Sequence, residues 1–345
     1  MKWRWVFLLT FVFIFLNGCN NEDPEAGREQ EPQQEKNVTE TEEEAAFYPL
    51  SGEAAEGKIN QRPVAVMVNN HPKARPQSGL HEADVVYEVL AEGEVTRFLA
   101  IYQSKQPEII GPVRSARDYY VDLSKGFNSI YVSHGWSPGA QEKLESGEAD
   151  FVNGLFYDGS LFWRADHAKA PHNSYTSYKN ILKGAEKDEI STEGSAEPFT
   201  FYTEEELSSI EGEKVDKVSV PFGKSKIYES TYQYNKSLNK YERLSNGEQT
   251  IDRETKDPVL ISNVFIVEAN HDIKDQQGRR TIDLESGGQG LLLQGGGAKG
   301  VNWENRDGRI VPVSAGELVK FVPGMTWICI VPDYSMITIE PAKGE

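Results

Sequence analysis

The first nineteen residues separate a leader from the part of the chain that folds. Residues 1–4 carry two positive charges, residues 5–16 form an apolar run interrupted only by Thr10, and the letters LNGC close it at Cys19. The run is too short to span a bilayer as a stable helix, and its charged, apolar and small-residue order is typical of a secretory signal. The sequence therefore predicts a lipoprotein signal peptide at 1–18 and, in the pattern of a bacterial lipobox, lipidation of Cys19.

We expect the lipid to hold the protein at the membrane. A diacylglyceryl group on Cys19 supplies two acyl chains of the palmitate kind, which anchor stably where one chain would not. Residues 20–46 contain ten acidic residues, two basic ones and no aromatic residue, a composition that cannot bury enough apolar surface to fold. Residues 19–46 are thus predicted to be a lipidated cysteine and an acidic, disordered tether, on the extracytoplasmic face of the cell membrane.

Charge and cysteine content limit the classes of function. Of the formal net charge of −18, −8 lies in residues 20–46, and Lys2 and Arg4 belong to the leader, so residues 47–345 carry −12. This excess of negative charge argues against nucleic acid as a partner. Cys19 and Cys329 are the only cysteines, so no intramolecular disulfide is expected once Cys19 is lipidated. The apolar letters WICIV around Cys329 predict a buried strand.

The hydrophobic pattern predicts two parts. Residues 47–185 alternate apolar strands, at 63–69 for example, with helices at 118–125, 137–146 and 175–183. Residues 186–197 are rich in Ser, Glu and Gly and mark a boundary, after which residues 198–345 show short strands separated by turn signals. We therefore predict an α+β fold. A mixed sheet with covering helices forms the N-terminal part, and it is docked to a mostly β C-terminal part.

Four separated motifs carry a resemblance to a known family. They read GPVRSARD at 111–118, APHNSY at 170–175, GVNWE at 300–304 and PGMTWI at 323–328. With the lipobox and the acidic tether, these motifs resemble those of the YerB-like lipoprotein family, and the resemblance covers nearly the whole chain. It implies a two-part extracytoplasmic domain of unknown function. It implies no reaction.

The first of these motifs is a candidate anion site. Arg114, Ser115, Arg117 and Asp118 lie between a Gly-Pro turn and a predicted helix start. Backbone N–H groups at a helix start, a hydroxyl and two guanidinium groups are the donors that bind anions in proteins. Arg97, in the middle of a predicted strand, is a further candidate cation.

An alternative interpretation assigns these arginines to the scaffold. Ion pairs with Glu88, Glu92, Asp118 or Asp122 would neutralise the guanidinium groups and brace the fold. The sequence leaves both interpretations open.

The second motif lies in a polar loop at 164–174. Arg164, His167, His172 and Asn173 lie close together there beside Pro171, and polar loops on a rigid scaffold often carry binding groups. A spacing of five residues does not place the two histidines on one helix face as a zinc site of the His-x-x-x-His kind requires. We therefore predict no metal site and no cofactor.

The letters GWSPG at 135–139 match the nucleophile elbow of serine hydrolases. That elbow needs the backbone N–H of the residue after the serine, and Pro138 has none. Ser137 is therefore expected to cap a helix whose first turn contains Pro138. Ser137 and His134 remain weak catalytic candidates, and we expect no enzymatic activity.

These observations favour a membrane-tethered binding or accessory protein at the cell envelope, without catalysis and with an anion-binding pocket built from residues 114–118 and 164–173. Location alone suggests peptidoglycan or a cell-wall synthesis protein as partner. One alternative is an envelope hydrolase acting on cell-wall polymer, with His134, His167 or His172 as base. A second alternative is a solute-binding lipoprotein that delivers its ligand to a transporter.

The anchor yields the first prediction. Cys19→Ala should release the protein into the medium or leave it as an unprocessed precursor, because the two acyl chains supply the membrane affinity. Fractionation of cells and medium, with mass spectrometry of the N-terminus, measures this. Membrane retention of a fully processed, unlipidated chain would contradict it.

Overall fold

The computed structural model describes residues 46–343, which belong to one compact unit. The predicted signal peptide, Cys19 and all of the tether except Ala46 lie outside the described residues. Between residues 46 and 343, no helix is long and apolar enough to cross a membrane.

The first half alternates strands and helices as predicted. The predicted third helix begins later than expected, at Tyr178, because the Ser177 hydroxyl accepts the backbone N–H of Asn180 (3.1 Å) and caps it. The strands are β1 (Ala46–Phe47), β2 (Ala54–Ala55), β3 (Val64–Asn69), β4 (Val85–Leu90), β5 (Thr96–Tyr102), β6 (Ile130–Ser133), β7 (Phe151–Asn153), β8 (Trp163–Arg164) and β9 (Ser174–Tyr175). The helices are α1 (Asp118–Lys125), α2 (Pro138–Glu145), α3 (Gly154–Tyr157) and α4 (Tyr178–Lys187).

The second half consists of strands and short 3₁₀ turns in the part that the structure describes. Its strands are β10 (Glu213–Val220), β11 (Ser230–Asn235), β12 (Lys240–Ser245), β13 (Glu248–Gln249), β14 (Leu260–Ile261), β15 (Asn263–Glu268), β16 (His271–Ile273), β17 (Arg280–Ile282), β18 (Gly288–Gln294), β19 (Gly297–Arg306), β20 (Arg309–Ser314), β21 (Glu317–Leu318), β22 (Thr326–Val331) and β23 (Thr338–Pro341). β21 ends at Leu318, and beyond it an isolated bridge pairs Phe321 with Phe201.

Strands from both halves form one mixed sheet, and the predicted α+β fold class is confirmed. Its order is β7-β6-β3-β5-β4-β22-β15-β18-β19-β20-β21. β22 lies in the middle, parallel to β4 on one side and to β15 on the other. The two halves therefore join through backbone hydrogen bonds at the centre of the sheet. The domain boundary at 186–197 stays a prediction, and α4 extends into it as far as Lys187.

Both faces of this sheet are covered, which explains its uninterrupted apolar strands. Val66 and Trp327 face a core shared with α4 and with a second β layer containing β10, β11 and β12. Met67 and Ile328, each one residue further along, face a core shared with α1 and α2. The period of two along each strand thus divides its side chains between two cores.

One charged pair lies inside the first of these cores. Glu88 of β4 is fully buried and accepts from the Arg243 guanidinium of β12 at 2.9 and 3.1 Å. The Arg243 guanidinium also packs on the rings of Phe98 and Trp327, about 5 Å from each ring centre. Burial alone would lower the pKa of Arg243, but the Glu88 charge raises it above its ordinary value. The pair connects the two halves of the chain.

Breaking this pair should destabilise the whole unit. Glu88→Gln leaves the Arg243 charge buried without compensation, so we expect the free energy of unfolding to fall by about 3–5 kcal/mol. Urea unfolding measures it, with Glu340→Gln, in an exposed pair with Lys217, as the control, expected to cost under about 1 kcal/mol. Replacing both partners by leucine should recover most of the loss. A cost of Glu88→Gln no larger than that of the control would contradict this role.

Candidate functional site

The carboxyl end of β3 brings the two predicted loops into contact. The backbone N–H of Arg114 donates to the carbonyl oxygen of Met67 in β3 (2.9 Å). The guanidinium of Arg114 donates through Nη1 to the carbonyl oxygen of Pro171 (3.3 Å). Arg114 therefore lies against the loop that carries His172 and Asn173. These residues and the end of β3 form a site that we call the β3 site: Asn69, His71, Arg114 and His172.

Two stacked histidines form the centre of the β3 site. The rings of His71 and His172 lie 4.5 Å apart, with 23° between their planes. The side-chain oxygen Oδ1 of Asn69 accepts the backbone N–H of His71 (3.0 Å), which leaves the side-chain nitrogen Nδ2 to donate to Nδ1 of His172 (2.9 Å). Nδ1 of His71 accepts the backbone N–H of Lys73 (3.1 Å). Each neutral ring therefore carries its proton on Nε2, which remains an available donor.

Burial and the surrounding positive charge both favour the neutral form of these two rings by lowering their pKa values. Burial first, and then the charges of Lys73, Arg75 and Arg114, lower the pKa of His71. Burial, the neighbouring His71 and Arg114 lower the pKa of His172 in the same direction. A negatively charged ligand would act in the opposite direction and raise both pKa values.

Arg114 has no carboxylate partner among the described residues. Its Nε is buried and makes no hydrogen bond, and its one side-chain bond is to Pro171. Burial, with some contribution from Arg97, lowers the pKa of Arg114 to about 10, so the group still carries its charge at pH 7. An uncompensated cation with an unused buried donor is the feature of the β3 site that most clearly suggests an anionic ligand.

Arg97 and Arg117 have a different environment. Both form ion pairs with Glu92. Nη2 of Arg97 donates to Oε2 of Glu92 (2.8 Å), and Arg117 pairs with Oε1 of the same carboxylate. Arg97 also donates to the carbonyl oxygen of Ser115 (2.5 Å), and the Ser115 hydroxyl donates to the carbonyl oxygen of His134 (3.1 Å). These side chains are thus used within the protein, in the way that the scaffold interpretation describes.

Arg164 and His134 form a second polar cluster. Arg164 is paired with Asp158 through Nη2 (2.8 Å) and donates to Nε2 of His134 (2.8 Å). Because a guanidinium only donates, Nε2 of His134 is the acceptor, and Nδ1–H donates to the Ser174 hydroxyl (2.7 Å). Burial, followed by the Arg164 charge, lowers the pKa of His134. Both ring nitrogens of His134 make hydrogen bonds within the protein, so neither is free to accept a proton from a substrate.

His167 and Asn173 lie further along the same loop. Nε2 of His167 is 3.1 Å from the Tyr175 hydroxyl. The backbone carbonyl of Asn173 accepts from the backbone N–H of Ala165 (2.8 Å), which closes the loop, and its side-chain oxygen is buried without a partner. Neither side chain makes a hydrogen bond to the β3 site.

Ser137 caps α2 as predicted. Its hydroxyl accepts the backbone N–H of Ala140 (3.3 Å) and donates to Oδ1 of Asp118 (2.7 Å), whose Oδ2 pairs with Lys274 (2.9 Å). Burial would raise the pKa of Asp118, but the bonds from Lys274 and Ser137 hold it below its usual value. Ser137, Asp118, Lys274 and Arg117 contribute to the lining of a cavity of about 60 Å³. Arg114 and the loop at 164–174 do not line this cavity.

Sequence reasoning missed His71 and Asn69. The signal was present, because the polar letters NNH at 69–71 directly follow the apolar letters VAVMV of β3. β3, β6 and β7 are parallel, so the residues after each emerge at the same edge of the sheet. Within residues 46–343, no group of three or more His, Cys, Asp or Glu side chains is placed to hold a metal ion.

The family models match both parts of the chain. The "Protein of unknown function (DUF3048) N-terminal domain" matches residues 50–191, and the DUF3048 C-terminal domain matches residues 218–328. The chain is also 51% identical, over 99% of its length and 99% of the other protein, to "Putative lipoprotein YerB" of Bacillus subtilis (strain 168). The crystal structure of YerB from Bacillus subtilis superposes with a TM-score of 0.81 at 54% identity, covering 86% of this chain and 100% of that one. The resemblance to the YerB-like family is confirmed.

Removing the Ser137 hydroxyl separates capping from catalysis. Ser137→Ala loses a helix cap and a bond to a carboxylate, so the free energy of unfolding should fall by about 2 kcal/mol. Ser177→Ala, which caps α4 through the N–H of Asn180, is the matched control and should cost about 1 kcal/mol. Stoichiometric labelling of Ser137 by a fluorophosphonate would instead show that it is a nucleophile.

Proposed function

We propose a function for this chain, which belongs to the DUF3048 family: a membrane-tethered extracytoplasmic lipoprotein that binds an anionic ligand at the β3 site without chemical conversion. Lipid on Cys19 anchors it to the outer face of the cell membrane. The lipoprotein name of the relative from Bacillus subtilis supports the anchor. Peptidoglycan or a protein of cell-wall synthesis is the partner class that this location suggests.

The observation that carries the proposal is the uncompensated charge of Arg114. In the described part of the chain, Arg97, Arg117 and Arg164 are each paired with a carboxylate, whereas Arg114 is not. The sequence as a whole carries a net charge of −18, so the sign of the charge at the β3 site is opposite to that of the chain. Leaving such a charge partly buried costs free energy that a bound anion would recover.

The β3 site also offers suitable donors. Nε2 of His71 and Nε2 of His172 each carry a proton and have no protein acceptor among residues 46–343. A guanidinium and two ring N–H groups are charged or polar donors of the kind that hold carboxylate, sulfate or phosphate oxygens. Anionic groups of this kind occur in cell-wall polymers, which agrees with the proposed location.

An anion titration tests the proposal through Arg114→Gln. Sulfate should raise the melting temperature of the unaltered protein in proportion to the logarithm of its concentration once the site is filled. Sulfate also stabilises proteins in general by exclusion from their surface. The measured quantity is therefore the difference between the sulfate-induced rise in melting temperature of the unaltered protein and that of Arg114→Gln. The variant should retain only the rise caused by exclusion of sulfate from the protein surface. Arg306→Gln, in an exposed pair with Glu304, is the control and should respond like the unaltered protein.

The pH dependence provides a second measurement. Sulfate remains a dianion between pH 7 and pH 5, whereas His71 and His172 take up protons as the pH falls through their lowered pKa values. Sulfate affinity should therefore increase as the pH decreases. Without an anion, the stability of the protein should instead decrease as the pH falls below 6.5. The unfolded chain, with unshifted histidine pKa values, takes up these protons more readily than the folded protein does. Equal sulfate responses in Arg114→Gln and the unaltered protein would contradict the proposal, as would a loss of about 3–5 kcal/mol in that variant without sulfate.

A further inference from the structure

A second cavity lies at the contact between the two halves of the chain. It has a volume of about 480 Å³, within the range of small-molecule sites. One wall comes from the segment after the 3₁₀ turn Pro72–Ala74, and the other from β12 and β13. The side chains that matter for its chemistry are Arg75, Gln77, Ile227, Arg243, Ser245 and Thr250.

The buried face of β12 lines this cavity. Arg243 and Ser245 are two residues apart, so both side chains point to the same face of the strand. Every nitrogen of the Arg243 guanidinium donates within the protein: Nε and Nη2 to Glu88 (3.3 and 2.9 Å), Nη2 also to the Ser230 hydroxyl (2.7 Å), and Nη1 to the Thr250 hydroxyl (2.8 Å). Arg243 therefore contributes charge to the cavity, and none of its nitrogen atoms lacks a partner.

Two other donors in the cavity are unused. The Ser245 hydroxyl makes no hydrogen bond among the described residues, although the residue is only 5% exposed. The Arg75 guanidinium donates through Nε to the side-chain oxygen of Asn70 (3.1 Å) and through Nη1 to the carbonyl oxygen of Ile227 (3.3 Å), while its Nη2 is buried without a partner. Buried polar atoms are rarely left unpaired in native structures, and two such donors beside one cavity are available to bind a ligand.

We propose that this cavity is a second binding site, for a small organic carboxylate with an apolar side chain. Arg75 Nη2 and the Ser245 hydroxyl donate to the carboxylate oxygens, and the apolar part packs against Pro76, Ile227 and Ile251 on the cavity wall. This site goes beyond the proposed function, since it uses neither Arg114 nor the histidine pair.

The local charges make a dianion less suitable for this cavity than a monoanion. Arg75 and Arg243 bring two positive charges, and Glu88 inside the core and Glu248 at the cavity wall bring two negative ones. A carboxylate with one charge and two acceptor oxygens matches two free donors in a nearly neutral cavity. Phosphate or sulfate would bring a second charge with no further buried donor to receive it.

Paired probes test the site on the protein without its signal peptide. We expect saturable binding of N-acetyl-leucine by NMR titration at constant ionic strength, and at least tenfold weaker binding of N-acetyl-leucinamide, which has the same shape without the charge. Ser245→Ala removes a donor that no protein group uses, so it should leave the fold intact while weakening the acid several-fold. Arg75→Gln should weaken it at least tenfold, and Arg114→Gln should leave it unchanged.

The outcomes separate this inference from the proposed function. Equal binding of acid and amide, or unchanged acid binding in Ser245→Ala, would refute the carboxylate site whatever the sulfate titration gives. No detectable binding of the acid by the folded protein would mean that the cavity holds only water and would refute it as well. Loss of acid binding in Arg114→Gln would show that the probe occupies the β3 site instead. If Arg75→Gln does not fold, the comparison of acid and amide in Ser245→Ala decides.

Discussion

The buried ion pair of Glu88 and Arg243 is the interaction on which both halves of the chain depend. Each partner sits in the core, where a lone charge costs several kcal/mol, so either half without the other would leave a carboxylate or a guanidinium uncompensated. The hydroxyls of Thr96 and Ser230, the indole N–H of Trp327 and the side-chain nitrogen of Asn70 also donate to Glu88. With so many satisfied donors, the pair specifies how the second β layer docks on the sheet.

The shared sheet also makes the two halves depend on each other, through backbone hydrogen bonds. β22, near the end of the described chain, is hydrogen-bonded to β4 of the first half and to β15 of the second. A strand at the centre of a sheet pairs its N–H and C=O groups with a neighbouring strand on each side. Detaching β22 would therefore leave backbone groups of both β4 and β15 without hydrogen-bond partners. The loops at the strand ends, including the β3 site and the cavity beside β12, are therefore carried by one rigid framework.

The distribution of carboxylates determines what each arginine does. Glu92 neutralises Arg97 and Arg117, and Asp158 neutralises Arg164. These three arginines brace loops through bonds inside the protein. Arg114 and Arg75 have no carboxylate partner among the described residues. Residue type alone does not distinguish the two groups, because all five are arginines of one acidic protein.

Local patterns in the sequence were enough to predict the fold class, most strands and helices of the first half, the cap at Ser137 and the burial of Cys329. They depend on hydrophobic periodicity and on bonds between near neighbours, which are written in a few consecutive residues. The sequence also identified Arg114 and His172 as site candidates. It did not reveal that His71 stacks on His172, or that Arg243 pairs with Glu88 across 155 positions. Those contacts join residues far apart in the chain, so only the tertiary packing decides them.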